Sequence, residues 1–219
     1  SQAVSMLADI GAAESVVVET FAEASAALGY DLWALCQQGP AEVLNQTDKT
    51  QPAILTASIA LWRLWLAKGG PQPAYVAGHS LGEYSALVAA GSLTLVDAVR
   101  LVERRGQLMQ EAVPAGTGGM AAILGLDDAD VQAACAEAAQ GEVVSAVNFN
   151  APGEVVVAGS AAAVERAIEA CKARGAKRAM PLPVSVPSHC ELMRPAAEQF
   201  AQALAAVAWQ KPNIALVQN

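Results

Sequence analysis

The chain has 219 residues, of which 54% are hydrophobic and 16% charged. That is enough apolar material for one substantial core, or a core carrying a smaller insert, and it excludes a disordered chain. Asp and Glu outnumber Lys and Arg by 21 to 13, and the formal net charge of −8 has the wrong sign for a nucleic-acid-binding domain, although a local basic patch is compatible with it.

The most apolar run, Ala53 to Ala67, is broken by Arg63 and falls short of the ~20 residues that a membrane span needs. Cys36, Cys135, Cys171 and Cys190 are scattered, with no Cys-x-x-Cys pair, which points to buried, reduced thiols and a cytoplasmic location. His79 and His189 are the two histidines, too few for a histidine-based metal centre, and no metal is expected.

In chain order, Ser15 to Leu28 reads as a helix ended by Gly29. Gln51 to Lys68 reads as a longer helix with Pro52 in its first turn and Gly69-Gly70 closing it. Pro71 and Pro73 mark a turn into Ala74-Tyr75-Val76-Ala77-Gly78, expected to be a short buried strand. A helix from Ser80 to Ala90, ended by Gly91, follows it. Thr94 and Asp97 have the spacing of a cap for a helix running through Arg105 to Ala112. Helix, strand and helix in this order predict a parallel sheet covered by helices.

After Pro114 the texture changes. Met120 onward reads as strand, helix (Asp127 to Ala139), strand (Val143 to Asn148), strand (Glu154 to Ala158), helix (Ser160 to Arg174) and strand (Lys177 to Leu182), the βαββαβ order of a ferredoxin-like unit. The predicted organisation is an α/β domain over 1–115 and 184–219, with that unit inserted over 116–183. Gly116 to Gly119 is glycine-rich, but no Gly-Lys-Ser/Thr follows, so it reads as a flexible entry to the insert and not as a phosphate loop.

Gly78-His79-Ser80-Leu81-Gly82 fits G-x-S-x-G between a predicted strand and a predicted helix, the place where a nucleophilic serine is lifted clear of a sheet. The turn is sharp enough that a Cβ at either glycine is expected to clash. The helix N-terminus behind Ser80 offers N–H groups to an oxyanion. A serine nucleophile needs a base. Adjacent side chains diverge at a tight turn, so His79 is expected to pack or hydrogen-bond beneath the elbow. His189 is then the candidate base; it follows the apolar run Val184-Ser185-Val186, read as a strand, and Ser188 reads as the cap of a following helix. Arg105, taken by itself, reads as a surface arginine on the same helix as Arg100 and Arg104.

Taken together, these residues resemble a known family. Thr50-Gln51-Pro52-Ala53, the elbow continued by Glu83-Tyr84, Arg104-Arg105-Gly106-Gln107 with Met109, Asn148-Phe149-Asn150-Ala151-Pro152-Gly153 and Val184-Ser185-Val186-Pro187-Ser188-His189 match, in order, the bacterial malonyl-CoA:acyl-carrier-protein transacylases of type II fatty-acid synthesis. The resemblance implies an α/β-hydrolase-like domain with a ferredoxin-like insert, and an acyltransferase that moves malonyl from malonyl-CoA to the phosphopantetheine thiol of acyl carrier protein through a malonyl-serine, without a cofactor. It implies Ser80 as nucleophile, His189 as base, Arg105 as the partner of the malonyl carboxylate, the Leu81 N–H as an oxyanion donor, Gln51 as a pocket residue, and Asn148 and Asn150 near the acyl or pantetheine portion. A monomer is expected.

Family members begin with a strand leading into a Gly-Gln-Gly-Ser-Gln turn and continue well past Asn219. The chain is therefore expected to be truncated at both ends, with the second oxyanion donor and the group that orients His189 outside it. An acidic carrier protein needs a basic surface, and Lys172, Arg174, Lys177 and Arg178 are the candidate docking cluster; an ordinary cationic helix end explains them equally well. Two other readings stand beside the transferase. One is a serine esterase or lipase, with Asp127, Asp128 or Asp130 as the acid between Ser and His. The other is a carrier-protein-binding fragment without catalysis. Ser188 stands where malonyl-selective polyketide domains resemble a phenylalanine, which favours the discrete fatty-acid enzyme.

Overall fold

The computed structural model describes residues 2–184 and 186–218; Ser185, within the expected strand before His189, lies outside the described residues. The chain forms two compact units, Ser1–Gln107 with Ala201–Asn219, and Leu108–Phe200.

The first unit is mainly helical. It opens with α1 (Ala8–Ala13), α2 (Ser15–Leu28), α3 (Leu32–Gln38), α4 (Ala41–Leu44) and α5 (Thr47–Ala67). Helix α2 ends where expected, because Gly29 takes a left-handed conformation at φ 80° and returns its N–H to the Ser25 carbonyl. Helix α3 begins on Asp31, whose carboxylate accepts the Ala34 N–H at 2.8 Å. Helix α5 begins at Thr47 instead of Gln51, so Pro52 lies inside the helix and not in its first turn. Packing explains the extra turn. A Cβ on Gly106 of α7 (Leu95–Ala112) would lie 2.4 Å from the Asp48 Cα, so the glycine lets α7 press directly on the first turn of α5. Lys49 Nζ reinforces the contact with an ion pair to Glu103 at 2.9 Å.

Strand β1 (Tyr75–Ala77) leads into α6 (Leu81–Ala89), and α7 starts on the expected cap, with Thr94 Oγ1 accepting the Asp97 N–H and donating to Asp97 Oδ2. Near the chain's end, the N–H groups of Gln210 and Asn213 reach the carbonyls of Ser92 and Ala90. That places β6 (Ala215–Val217) parallel to β1, with Tyr75 opposite Ala215 and Ala77 opposite Val217. The strand is not buried, contrary to expectation: Tyr75 is 69% exposed. Among the described residues its ladder partner is β6 alone. Side chains of α5 and α6, including Ile54, Ile59, Trp62 and Ala86, line a groove against it.

The second unit contains β2 (Gly118–Leu124), α8 (Asp128–Ala139), β3 (Val144–Ala151), β4 (Glu154–Ser160), α9 (Ala161–Ala173) and β5 (Arg178–Pro181), followed by a 3₁₀ turn (Glu191–Met193) and the larger part of α10 (Arg194–Ala205). Strand order β3-β4-β2-β5, antiparallel throughout, is the ferredoxin-like arrangement the sequence predicts. Alternate residues of the strands, Ala121 and Ile123 with Val155 and Val157, face one way and pack on Val131, Ala134, Ala163 and Ala167 of the two helices. Ile123 and Val155 are fully buried, each contributing about 1.5–3 kcal/mol. Gly118 and Gly119 are strand residues rather than a flexible entry. A Cβ on Gly118 would meet Pro187 at 2.5 Å, so the glycine makes room for the segment that carries His189. The antiparallel unit and the parallel pair with its helices together give the α/β-hydrolase-like fold with a ferredoxin-like insert.

All four cysteines are free and buried, and burial pushes the thiols of Cys36 and Cys135 up to about 12. Among the described residues, no helix is long and apolar enough to cross a membrane.

The elbow glycines differ from the symmetric expectation. A Cβ on Gly78 would sit 2.0 Å from the backbone of Gly82, whereas a Cβ on Gly82 meets nothing within 4 Å. Gly78→Ala should therefore destabilise by about 1–3 kcal/mol or more, as overpacking does. Gly82→Ala, in the first turn of α6, should hold or raise stability by up to about 1 kcal/mol. Thermal unfolding of the two variants checks this; equal losses would contradict it.

Candidate active site

The elbow is built by β1, a three-residue turn and α6. Gly82 N–H bonds the His79 carbonyl at 2.9 Å, and Glu83 N–H bonds the Ser80 carbonyl at 3.2 Å. Closing so tight a turn forces Ser80 to φ 53°, ψ −109°. A non-glycine residue there costs about 1–3 kcal/mol and persists only where the surroundings over-determine it. Ser80 occupies the N-cap position of α6, yet its hydroxyl makes no cap hydrogen bond. The hydroxyl instead accepts from Arg105 Nη2 at 3.1 Å. Leu81 is the first residue of α6, so its N–H has no acceptor within the helix and lies at the positive end of the helix dipole.

Arg105 comes from α7 and joins three elements. Its Nη1 donates to Gln51 Oε1 at 2.7 Å, its Nη2 reaches Ser80, and its guanidinium lies 5.9 Å from the centroid of the Tyr84 ring on α6. Gln51, 3% exposed on α5, is held at its other end, where Nε2 donates to Thr47 Oγ1 at 2.9 Å. Burial lowers the Arg105 pKa, with the Tyr84 side chain opposing the shift, and the group remains a cation at neutral pH. Burial also raises the Tyr84 pKa, which Arg105 counteracts.

The partners of Arg105 are an amide, a hydroxyl and an aromatic ring. Among the described residues no carboxylate pairs with it, whereas Arg63, Arg166, Arg174 and Arg194 each have a glutamate partner. The expectation from its helix alone, a surface arginine, does not hold. A partly desolvated cation with neutral ligands is suited to a planar anion that can take two parallel N–H bonds.

Ser80, Leu81, Gln51 and Arg105 are thus gathered in the first unit, while His189, Asn148 and Asn150 belong to the second. His189 sits in a turn at φ 66° and is exposed. Val184 and Val186, in the run before it, are not strand residues, and Ser188 caps nothing; Cys190 occupies the N-cap of the 3₁₀ turn instead. The turn is anchored from beneath. Pro187 is buried, Cys190 Sγ contacts the Pro187 carbonyl at 3.2 Å, and Cys190 packs with Met120, Val156 and Ala158 on the sheet. Asn148 lies opposite Val156, beside one register shift in β3. Asn150 lies at a second shift, with its side-chain amide 3.5 Å from Glu154 Oε1. Such bulges re-aim strand side chains. His79 is exposed, so its ring is not buried beneath the elbow.

The basic cluster is only partly available. Lys172 pairs with Glu169 at 2.7 Å, and Arg174 pairs with Glu137 at 2.9 Å and Asp130 at 4.0 Å, whereas Lys177 and Arg178 are exposed without such partners among the described residues. Asp127, Asp128 and Asp130 lie exposed at the N-terminus of α8, where their charge complements the helix dipole. Tyr84 and Thr47 are functional candidates that the sequence reading left unassigned. Tyr84 stands four residues after Ser80, and Thr47 four before Gln51, spacings that put each pair on one helix face.

Residues 3–218 match the sequence model of the acyl transferase domain. The Malonyl CoA-acyl carrier protein transacylase of Escherichia coli K12 is 67% identical over 219 residues, covering 100% of this chain and 71% of the relative. The crystal structure of an acyl carrier protein S-malonyltransferase from Vibrio cholerae superposes with a TM-score of 0.96 at 63% identity, over 100% of this chain and 72% of that one. A malonyl-transacylase in complex with its type II PKS acyl-carrier protein superposes with a TM-score of 0.98 at 60% identity, over 100% and 71% of the two chains. Sequence and backbone agree along the whole length, and the chain belongs to the acyl transferase domain family.

Proposed function

We propose that this chain transfers a malonyl group from malonyl-CoA to the phosphopantetheine thiol of acyl carrier protein, in fatty-acid biosynthesis, through a malonyl ester on Ser80 and without a cofactor. The observation that carries the reading is the Arg105 guanidinium, whose partners beside the elbow hydroxyl are all neutral among the described residues. A malonyl thioester carries a carboxylate on the carbon next to the attacked carbonyl. One cation close to the nucleophile can therefore hold that carboxylate while Ser80 reaches the carbonyl. Relatives named malonyl CoA-acyl carrier protein transacylase support the choice of acyl group and acceptor.

In this reading, Ser80 Oγ attacks the thioester carbonyl as His189 accepts its proton. The Leu81 N–H, at the positive end of α6, donates to the oxyanion. The tetrahedral species collapses, the C–S bond breaks, and the CoA thiolate leaves with the proton from His189. The carrier thiol then gives its proton to His189 and attacks the Ser80 ester; the C–O bond breaks and the proton returns to Ser80 Oγ. Each half-reaction conserves charge and protons, so neither calls for a redox partner. Asn148 and Asn150 serve the acyl or pantetheine portion.

Lys177 and Arg178 are the part of the basic cluster suited to an acidic carrier protein, because Lys172 and Arg174 are already engaged by acidic neighbours. Reversing the charge of both should raise KM for carrier protein several-fold at low salt, with the effect shrinking as salt is added. Steady-state kinetics with carrier protein as the varied substrate tests this, and an unchanged KM assigns the pair to ordinary surface charge.

The transfer chemistry is tested by intact-mass measurement after incubation with malonyl-CoA. The unmodified chain should gain a malonyl adduct that carrier protein discharges. Ser80→Ala should gain none, and His189→Ala should acylate more slowly by a factor on the order of 10³ or more. An undiminished adduct on Ser80→Ala overturns the proposal, and release of free malonate in preference to transfer identifies a hydrolase.

A further inference from the structure

Gln51 is buried and its amide has two chemically opposite ends. Turned one way it offers a carbonyl oxygen to Arg105, and turned the other way it offers N–H donors to a group that is itself all donors. A terminal amide torsion has two broad wells, so packing shape alone does not choose between them. Here Oε1 faces Arg105 Nη1 at 2.7 Å while Nε2 donates to Thr47 Oγ1 at 2.9 Å. Thr47 is the first residue of α5, and the turn it begins is fixed against α7 next to Arg105. A Cβ on Gly106 would come within 2.8 Å of the Thr47 carbonyl carbon and 2.4 Å of the Asp48 Cα, and Lys49 is paired with Glu103 of α7. The hydroxyl that holds Gln51 is therefore set on the same rigid contact that carries the arginine.

We propose that Thr47 is a positioning residue for acyl-group selection, its hydroxyl holding the Gln51 amide with the carbonyl toward Arg105 so that the second guanidinium nitrogen stays directed at the Ser80 hydroxyl. The inference rests on the reading of Arg105 as partner of the malonyl carboxylate. Thr47 acts only through Gln51 and Arg105. Its loss should accordingly weaken recognition of a carboxylate-bearing acyl group and spare the attack itself.

The test is steady-state kinetics with malonyl-CoA and acetyl-CoA, carrier protein as acceptor, in Thr47→Val, which keeps the side-chain shape and loses the acceptor. The malonyl-to-acetyl ratio of kcat/KM should fall roughly five- to tenfold, the size expected for one buried hydrogen bond, with the loss appearing in KM for malonyl-CoA. Thr47→Ser restores the hydroxyl and should return the ratio to within about twofold of the unmodified protein's. In an Arg105→Ala background, Thr47→Val should leave the ratio unmoved, because the group it acts through is gone.

Thr47→Ala is measured alongside, so that a folding defect in the valine variant leaves a second readout. Equal losses on both substrates, failure of serine to rescue, or the same ratio change in the Arg105→Ala background would each reduce Thr47 to a fold-stabilising residue and overturn the inference. If Arg105→Ala itself leaves the ratio intact, the reading beneath the inference fails. If Arg105→Ala collapses the ratio and Thr47→Val does not, the Thr47 assignment alone fails.

Discussion

Arg105 is a cation drawn out of water with no anionic partner among the described residues, and the first unit is arranged around keeping it there. Desolvating a guanidinium costs several kcal/mol, and hydrogen bonds from a charged donor return about 1.5–3 kcal/mol each. Gln51 and Ser80 supply two such bonds and the Tyr84 ring a weaker attraction. That offsets the cost without neutralising the charge. A built-in aspartate would stabilise the arginine further but would occupy the fork that a ligand carboxylate needs. The three neighbours come from α5, the elbow and α6, so the charge is also the point where the first unit's elements meet around one group.

Two close backbone approaches make this convergence possible. Gly106 lets α7 press on the first turn of α5, and Gly78 lets the strand fold back over the start of α6. The first contact sets the distance between Arg105 and Gln51. The second raises Ser80 into a backbone conformation that side-chain-bearing residues rarely adopt, with its hydroxyl turned from the helix cap toward the guanidinium. The strain at Ser80 and the desolvation at Arg105 are offset by the same packing.

Much of this was legible in the sequence, and the exceptions have physical causes. The ferredoxin-like order, the cap at Thr94 and the ends of α2 and α6 follow from periodicity and glycine placement, which are local properties. Proline favours a first turn, so the sequence points to a start of α5 at Gln51, whereas packing at Gly106, a tertiary effect, begins the helix four residues earlier at Thr47. Ser188 has the chemistry of a cap, but burial of Pro187 and Cys190 fixes the segment in a turn that brings a different residue to the N-cap. At the site, the serine was visible as a motif, while Arg105 read in isolation was a surface residue. Its environment depends on α5, more than fifty positions earlier, and on the elbow, twenty-five positions earlier. Thr47 and Tyr84 escaped notice because hydrogen-bonding and ring contacts of that kind leave no spacing signature distinct from ordinary helix faces.

The account turns on Arg105 selecting the acyl group and not assisting the attack. Malonyl and acetyl thioesters present Ser80 with nearly the same electrophile and differ in one carboxylate. The decisive measurement is the malonyl-to-acetyl ratio of kcat/KM in the unmodified protein and in Arg105→Ala. Breaking one side of a buried charge pair costs about 3–5 kcal/mol, roughly two to four decades in kcat/KM for malonyl-CoA. Acetyl-CoA has no carboxylate to strand and should hold its rate or gain, so the preference should invert, with Arg105→Lys falling between because it keeps the charge and loses the fork. Equal losses on both substrates would mean that Arg105 supports the fold or the transition state, and would contradict the account.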